Sequence, residues 1–262
     1  MAQMTLMSIF VFLFGAVVGS FLNVCIYRIP RSESIVFPAS HCPECNNKIR
    51  AFDNIPVVSY LLLRGSCRAC GTRISWQYPV VELLSALLTL FLFLRFHFSP
   101  TFFVLFVFCM ALVVITFIDL EHQIIPDSIS LPGIIIGFAT SFILPWLSWK
   151  SSLIGIVAGG GSLLLVATGY QLLTKKEGMG GGDIKLLAMM GAFLGWRSIP
   201  FIIFTSSLFG SVVGLTLMAI RKKDSQLPIP FGPFLAFGAV LFIFYGRQLI
   251  QWYFALGGAV GG

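Results

Sequence analysis

The sequence predicts an all-α polytopic membrane protein of about eight transmembrane helices, interrupted once by a small polar insertion. Three observations predict it. Of the 262 residues, 57% are apolar and only 10% are Asp, Glu, Lys or Arg, against about 25% charged residues in a soluble domain. Apolar stretches of helix length recur along the chain. Between the first and second of them lies a polar segment that holds four of the six cysteines.

A bilayer core of roughly 30 Å needs about 20 helical residues to cross it. The expected spans are 4–27, 79–94, 101–118, 128–147, 153–173, 199–220 and 231–245, and a shorter piece, 184–196, follows a glycine run. The first span is retained rather than removed, because 1–27 contains no Lys or Arg and so lacks the basic start of a secretory signal. With the N-terminus outside, thirteen of the 17 basic residues fall in the inner segments 28–78, 119–128, 174–185 and 221–230. Arg95, Lys150, Arg197 and Arg247 are left outside. This follows the positive-inside rule and places both termini outside the cytoplasm. Topology and anionic lipid headgroups account for the net charge of +7, so no nucleic-acid partner is needed. The chain then divides into a first helix (1–27), a four-cysteine domain (28–78), a helical bundle (79–255) and a flexible glycine-rich tail (256–262).

The polar segment is too small to hold its shape by an apolar core alone. Cys42-Pro43-Glu44-Cys45 and Cys67-Arg68-Ala69-Cys70 offer a staple. Each CxxC turns two thiolates toward one point, and two such pairs make a closed tetrahedral site that suits structural Zn²⁺. A cytoplasmic position disfavours the alternative of disulfides. His41 is not needed as a fifth ligand, and Cys25 and Cys109, inside apolar spans, are expected to be packing residues.

Ionisable groups near membrane depth require an explanation. One cluster, Asp119 to Asp127, ends the third span and includes Glu121 and His122. The other, Gly178 to Lys185, enters the short sixth span and carries Asp183. Both fall on the inner face by charge alone. Two carboxylates that share one proton can act as base and acid in peptide hydrolysis. Gly180, Gly181 and Gly182 would let an extended substrate backbone approach Asp183. Glu121, His122, Asp127 and Lys185 are candidate supporting groups. The plainer alternative makes Asp119 a helix end and Asp183 a helix cap. A proton-coupled transporter is a further alternative, although no second half repeats the first.

At these residues the sequence resembles the type IV prepilin peptidase family. The resemblance is carried by the cysteine pairs, by Ile118-Asp119-Leu120-Glu121-His122 with Ile125-Pro126-Asp127, and by Gly180-Gly181-Gly182-Asp183-Ile184-Lys185. It extends to Asp53-Asn54-Ile55-Pro56, Ile74-Ser75 and Tyr78-Pro79-Val80-Val81-Glu82. It implies a GxGD-type aspartyl peptidase of the bacterial cytoplasmic membrane, with Asp119 and Asp183 as the catalytic pair facing the cytoplasm. Its implied substrates are prepilins or pseudopilins, of pili or type II secretion, cut before their hydrophobic helix. The implied second activity is methylation of the new N-terminus with S-adenosylmethionine, with which Glu82 is associated. A peptidase without methylation is the nearest alternative.

Overall fold

The structure is a computed structural model, and it describes residues 2–175, 180–221 and 229–258. Its helices are α1 (Ala2–Arg28), α2 (Val58–Leu62), α3 (Gln77–Phe96), α4 (Pro100–His122), α5 (Asp127–Thr140), α6 (Trp149–Thr174), α7 (Gly181–Leu194), α8 (Ser198–Arg221) and α9 (Gly232–Gly258). Among the described residues there is no β-strand, and pairing is confined to two isolated bridges. The all-α class therefore holds.

Among the described residues, five helices are long and apolar enough to cross a membrane: α1, α3, α4, α6 and α8. The apolar helices Asp127–Thr140 and Gly232–Gly246 are shorter, and α7 has 14 residues. The expected span 128–147 is corrected: α5 stops at Thr140 and turns follow. There the Thr140 and Ser141 hydroxyls donate to the carbonyls of Gly137 and Phe138, and Pro145 lies just beyond. Both features compete with a continuing helix. Ser148 then opens α6, its hydroxyl accepting the Ser151 N–H at 3.2 Å. The helix α9 continues to Gly258, and the remainder of the glycine-rich tail, 259–262, lies outside the described residues.

The chain divides into two compact units, Met1–Ile118 and Asp119–Gly262. In the first, α1 and α3 meet almost backbone to backbone. A Cβ added at Gly15 would lie 2.6 Å from the Thr89 hydroxyl, and one at Gly19 would lie 2.7 Å from the Glu82 Cα. Small residues permit this approach, and close approach is what drives helix pairing where lipid replaces water. At the end of α1 the buried Arg28 donates to the carbonyls of Ser34 and Pro38, which turns the chain into the polar insertion.

In the second unit α7 is the buried element. Every residue from Leu186 to Leu194 is buried, flanked by α5 and α6. On the α6 side Gly155 meets Gly191 backbone to backbone, and a Cβ at Gly159 would lie 2.5 Å from the Leu187 carbonyl oxygen. The Ser152 hydroxyl donates to the Ala192 carbonyl at 2.7 Å across the same seam. On the α5 side Gly133 receives Met189, and Gly137 receives Ala192 and Phe193. Many large apolar side chains of α6 and α8 are exposed, among them Leu165, Leu172, Leu173 and Phe204, as lipid-facing surfaces require.

A β-branched residue at position 191 must push α6 and α7 apart. Gly191→Val should cost at least the upper end of the usual overpacking range of about 1–3 kcal/mol, read as a lowered unfolding temperature in detergent. Gly161→Ala, on α6 with nothing within 4 Å of the added carbon, should stabilise or leave stability within about 1 kcal/mol. Equal effects of the two would contradict this packing.

Candidate functional sites

The insertion is built from two short turns that repeat one backbone pattern. In the first, the Cys42 N–H donates to Asn47 O and the Asn46 N–H donates to Cys42 O. In the second, the Cys67 N–H donates to Thr72 O and the Gly71 N–H donates to Cys67 O. A single bridge closes each, His41 with Lys48 and Ser66 with Arg73. The turning residues Asn46 and Gly71 have φ of 55° and 74°, the left-handed region that Asn and Gly tolerate best. Beyond the cysteines the two turns share only a basic residue and an isoleucine, Lys48-Ile49 and Arg73-Ile74, so sequence reading finds the CxxC pairs and misses the repeat.

The four sulfurs of Cys42, Cys45, Cys67 and Cys70 lie within 4.8 Å of one another, and Cys42 and Cys70 are 3.9 Å apart. A tetrahedral metal with about 2.3 Å bonds to sulfur needs neighbouring sulfurs about 3.8 Å apart, so this set fits a metal ion. All four thiols are free rather than paired as disulfides. Thr72, through its hydroxyl and then its backbone, holds the Cys70 thiol down at about 6. For Cys45 the Asn47 backbone lowers the thiol, but desolvation and the neighbouring sulfurs outweigh it and leave it at about 11. Four thiolates in one place repel, and a bound cation is what would hold them together. The exposed His41 stands apart, its Nδ1 3.2 Å from Ala39 O. Cys25 and Cys109 are buried, as expected of packing residues.

The rest of the insertion is tied by polar contacts. The Arg68 guanidinium donates to both oxygens of Asp53, at 2.7 to 3.1 Å. The Ser59 hydroxyl donates to Phe52 O and accepts the Ile55 N–H. Val57 stands at φ 61°, an uncommon conformation for a β-branched residue. Its N–H donates to Glu82 Oε2 at 2.7 Å, which fastens this turn to α3.

In the second unit, Asp119 is buried in the last turn of α4, and Asp183 is half-buried in the first turn of α7. They lie near enough for the charge of Asp119 to act on Asp183. The N-cap of α7 is Gly180, whose carbonyl accepts the Asp183 N–H at 3.3 Å, so Asp183 lies inside the helix rather than capping it. Among the described residues nothing lies within 4 Å of a Cβ added at Gly181, and one at Gly180 meets only the Gly182 nitrogen at 4.0 Å. Gly182 is covered, since a Cβ there would lie 2.9 Å from Ile125 Cβ. Gly178 and Met179 lie outside the described residues. The Lys185 ammonium donates to both oxygens of Asp127, at 2.7 and 2.8 Å, and ties the first turns of α7 and α5. Exposed Glu121 has its Oε1 3.9 Å from the buried Nε2 of His122.

One contact at this site has no counterpart in the sequence reading. The Gly232 N–H, at the start of α9, donates to Asp119 Oδ2 at 3.0 Å. The Pro230-Phe231-Gly232-Pro233 run was the available signal, because Pro near a helix start marks a boundary.

The fold and sites define a multi-pass membrane protein with one buried and one half-buried carboxylate near each other and a metal-ready cysteine cluster. Residues 13–96 match the bacterial peptidase A24 N-terminal domain, and 106–215 match the type IV leader peptidase family. The chain belongs to the type IV leader peptidase family. It is 38% identical to the prepilin leader peptidase/N-methyltransferase of Aeromonas hydrophila, over 93% of this chain and 92% of that protein. Proteins of the same name from Pseudomonas aeruginosa and Dichelobacter nodosus are 36% and 38% identical. They align with 94% and 92% of this chain, and 93% of each relative is covered. No solved structure matches the chain.

Metal analysis of the purified protein should find one tightly bound ion per chain. Cys→Ser change at Cys42, Cys45, Cys67 or Cys70 should release it, while Cys25→Ser and Cys109→Ser should not. Loss should first expose the insertion to protease, since little else holds it. A metal-free native protein with a protease-resistant insertion would contradict the assignment.

Proposed function

We propose that this chain cleaves the leader from prepilins or pseudopilins with Asp119 and Asp183 as the catalytic pair, and then methylates the new N-terminal amine. The observation that carries this reading is that the end of α4 and the start of α7 each bring a carboxylate, near enough for the charge of one to act on the other. It stands in a chain that aligns almost end to end with prepilin leader peptidase/N-methyltransferases. Nothing in the comparisons favours a transporter.

Like charges at close range cannot both ionise easily, so the pair holds one proton between two carboxyl groups. One group takes a proton from water as its oxygen attacks the scissile carbonyl, and the other gives its proton to the carbonyl oxygen. Among the described residues nothing crowds Gly180 and Gly181, which suits an extended substrate backbone beside Asp183. The basic-residue distribution puts this face toward the cytoplasm, in the bacterial inner membrane. A prepilin whose helix lies in the lipid and whose basic leader stays inside then presents its scissile bond at the right depth.

Zn²⁺ is the ion proposed for the cysteine cluster, because four thiolates close a structural site and leave no place for a catalytic water. S-adenosylmethionine supplies the methyl group for the second reaction. Glu82 is associated with this second reaction: its carboxylate accepts the Val57 N–H and its backbone packs against Gly19, so it supports methylation by holding the 51–57 turn against α3.

Asp119→Asn and Asp183→Asn should each abolish leader cleavage while the protein still folds and inserts. Both variants should still methylate a precleaved pilin, because methyl transfer to an amine of pKa about 8 needs alignment more than a strong base. Mass spectrometry of both substrates, with and without S-adenosylmethionine, reads out the two steps. Cleavage by either variant at near-normal rate would refute the pair.

A further inference from the structure

We infer that Gly232 is a positioning residue for cleavage: its backbone N–H holds Asp119 as the charged member of the pair, the member that takes the proton from water, and leaves Asp183 as the proton donor. This rests on Asp119 and Asp183 being the catalytic pair, and it adds to that reading the separate role of each. Gly232 lies outside the segment 106–215 that matches the family's peptidase model.

The first N–H groups of a helix have no partner within it. At the start of α9, Phe231 O accepts the N–H groups of Phe234 and Leu235, and Pro233 has no N–H to offer. The Gly232 N–H is therefore the leading orphan donor, and its partner is Asp119 Oδ2 at 3.0 Å, in a buried contact. A hydrogen bond aimed at a carboxylate favours its ionised form. Helix N-termini favour charge at both carboxylates, since Asp183 lies in the first turn of α7, so the hydrogen bond is what tells them apart. Among the described residues, the remaining charged groups of this region do not offset it. Asp183 of α7 is the partner that must then keep the proton. Lys185 of α7 is taken up by Asp127 of α5. On α4 itself, Glu121 and His122 lie beside each other. From Gly232 to Tyr245, α9 carries no Asp, Glu, Lys, Arg or His.

Space makes the position specific to glycine. A Cβ at 232 would lie 2.6 Å from Asp119 Oδ2 and 3.3 Å from its Cγ, with Ile125 Cδ1 at 3.4 Å. The group forced to move is the carboxylate itself. Any side chain there would therefore break the hydrogen bond it stands beside.

With these roles the reaction balances. The water oxygen bonds to the scissile carbon, its proton passes to Asp119, and the Asp183 proton passes to the carbonyl oxygen, giving a gem-diol. A diol hydroxyl then returns a proton to Asp183, Asp119 gives its proton to the leaving nitrogen, and the C–N bond breaks. The carboxylic acid and amine leave, and the starting protonation is restored.

The test is the pH profile of kcat/KM for prepilin cleavage by the full-length protein with Gly232→Ala. Removing a donor to the base should move the acidic limb to higher pH by about one unit and lower the rate on that limb by up to about tenfold. Gly210→Ala, on α8 with its nearest neighbour 3.6 Å from the added carbon, should leave the profile unchanged. If Gly232→Ala fails to fold, glycolic acid placed at 232 by nonsense suppression removes the N–H without adding a Cβ and should move the same limb. A fall in rate at all pH values with both limbs in place, or movement of the alkaline limb alone, would overturn the inference. Asp119→Asn and Asp183→Asn assayed in parallel separate the two claims. If either cleaves, the pair itself is wrong; if both are inactive and the acidic limb stays put, only the role of Gly232 is wrong.

Discussion

Backbone contact between α6 and α7 at Gly155, Gly159 and Gly191 is the constraint on which the second unit depends. In a bilayer, helices gain little by hiding apolar side chains from lipid, so they associate through close packing and interhelical hydrogen bonds. The glycines allow the first, and Ser152 donating to Ala192 O supplies the second. Clasped this way, and filled on its other face by contacts to Gly133 and Gly137 of α5, α7 has little freedom to slide or tilt. Its first turn carries Asp183. A carboxylate delivered by a short, buried, glycine-locked helix can be positioned more firmly than one on a loop.

Asp119 is held by a different device, the start of α9. The two carboxylates therefore have unequal surroundings: Asp119 accepts a backbone N–H from the start of α9, whereas Asp183 sits within the first turn of α7. Surroundings of this kind push the members of a pair toward opposite protonation states, which is what division into base and acid requires. The first unit follows another logic. Its polar insertion buries few side chains, and it relies on the cysteine cluster, on Arg68 with Asp53, and on Glu82 holding Val57. Its shape should accordingly be sensitive to metal and to single polar substitutions.

The sequence made the helices legible because composition and length are enough when lipid is the solvent. It made the cysteine cluster legible because CxxC spacing constrains two ligands locally. It could not place the end of α5, where hydroxyl back-bonds and Pro145 override an apolar pattern that runs on to Leu147. Its plainer alternative made Asp183 a cap, whereas Gly180 takes that position and moves the carboxylate into the helix. It grouped Gly180, Gly181 and Gly182 by type, although Ile125 covers only the last of them. Gly232 was missed because its contribution is a backbone N–H, which leaves no mark in side-chain chemistry and gains meaning only beside Asp119, far away in sequence.

The central claim is that two carboxyl groups share a single proton. Infrared difference spectroscopy of the membrane-embedded enzyme, scanned across neutral pH with isotope-labelled aspartate, tests it most directly. The account predicts one protonated aspartyl C=O band per chain, lost in both Asp119→Asn and Asp183→Asn. Two fully ionised aspartates at neutral pH, or a band that survives either substitution, would contradict it.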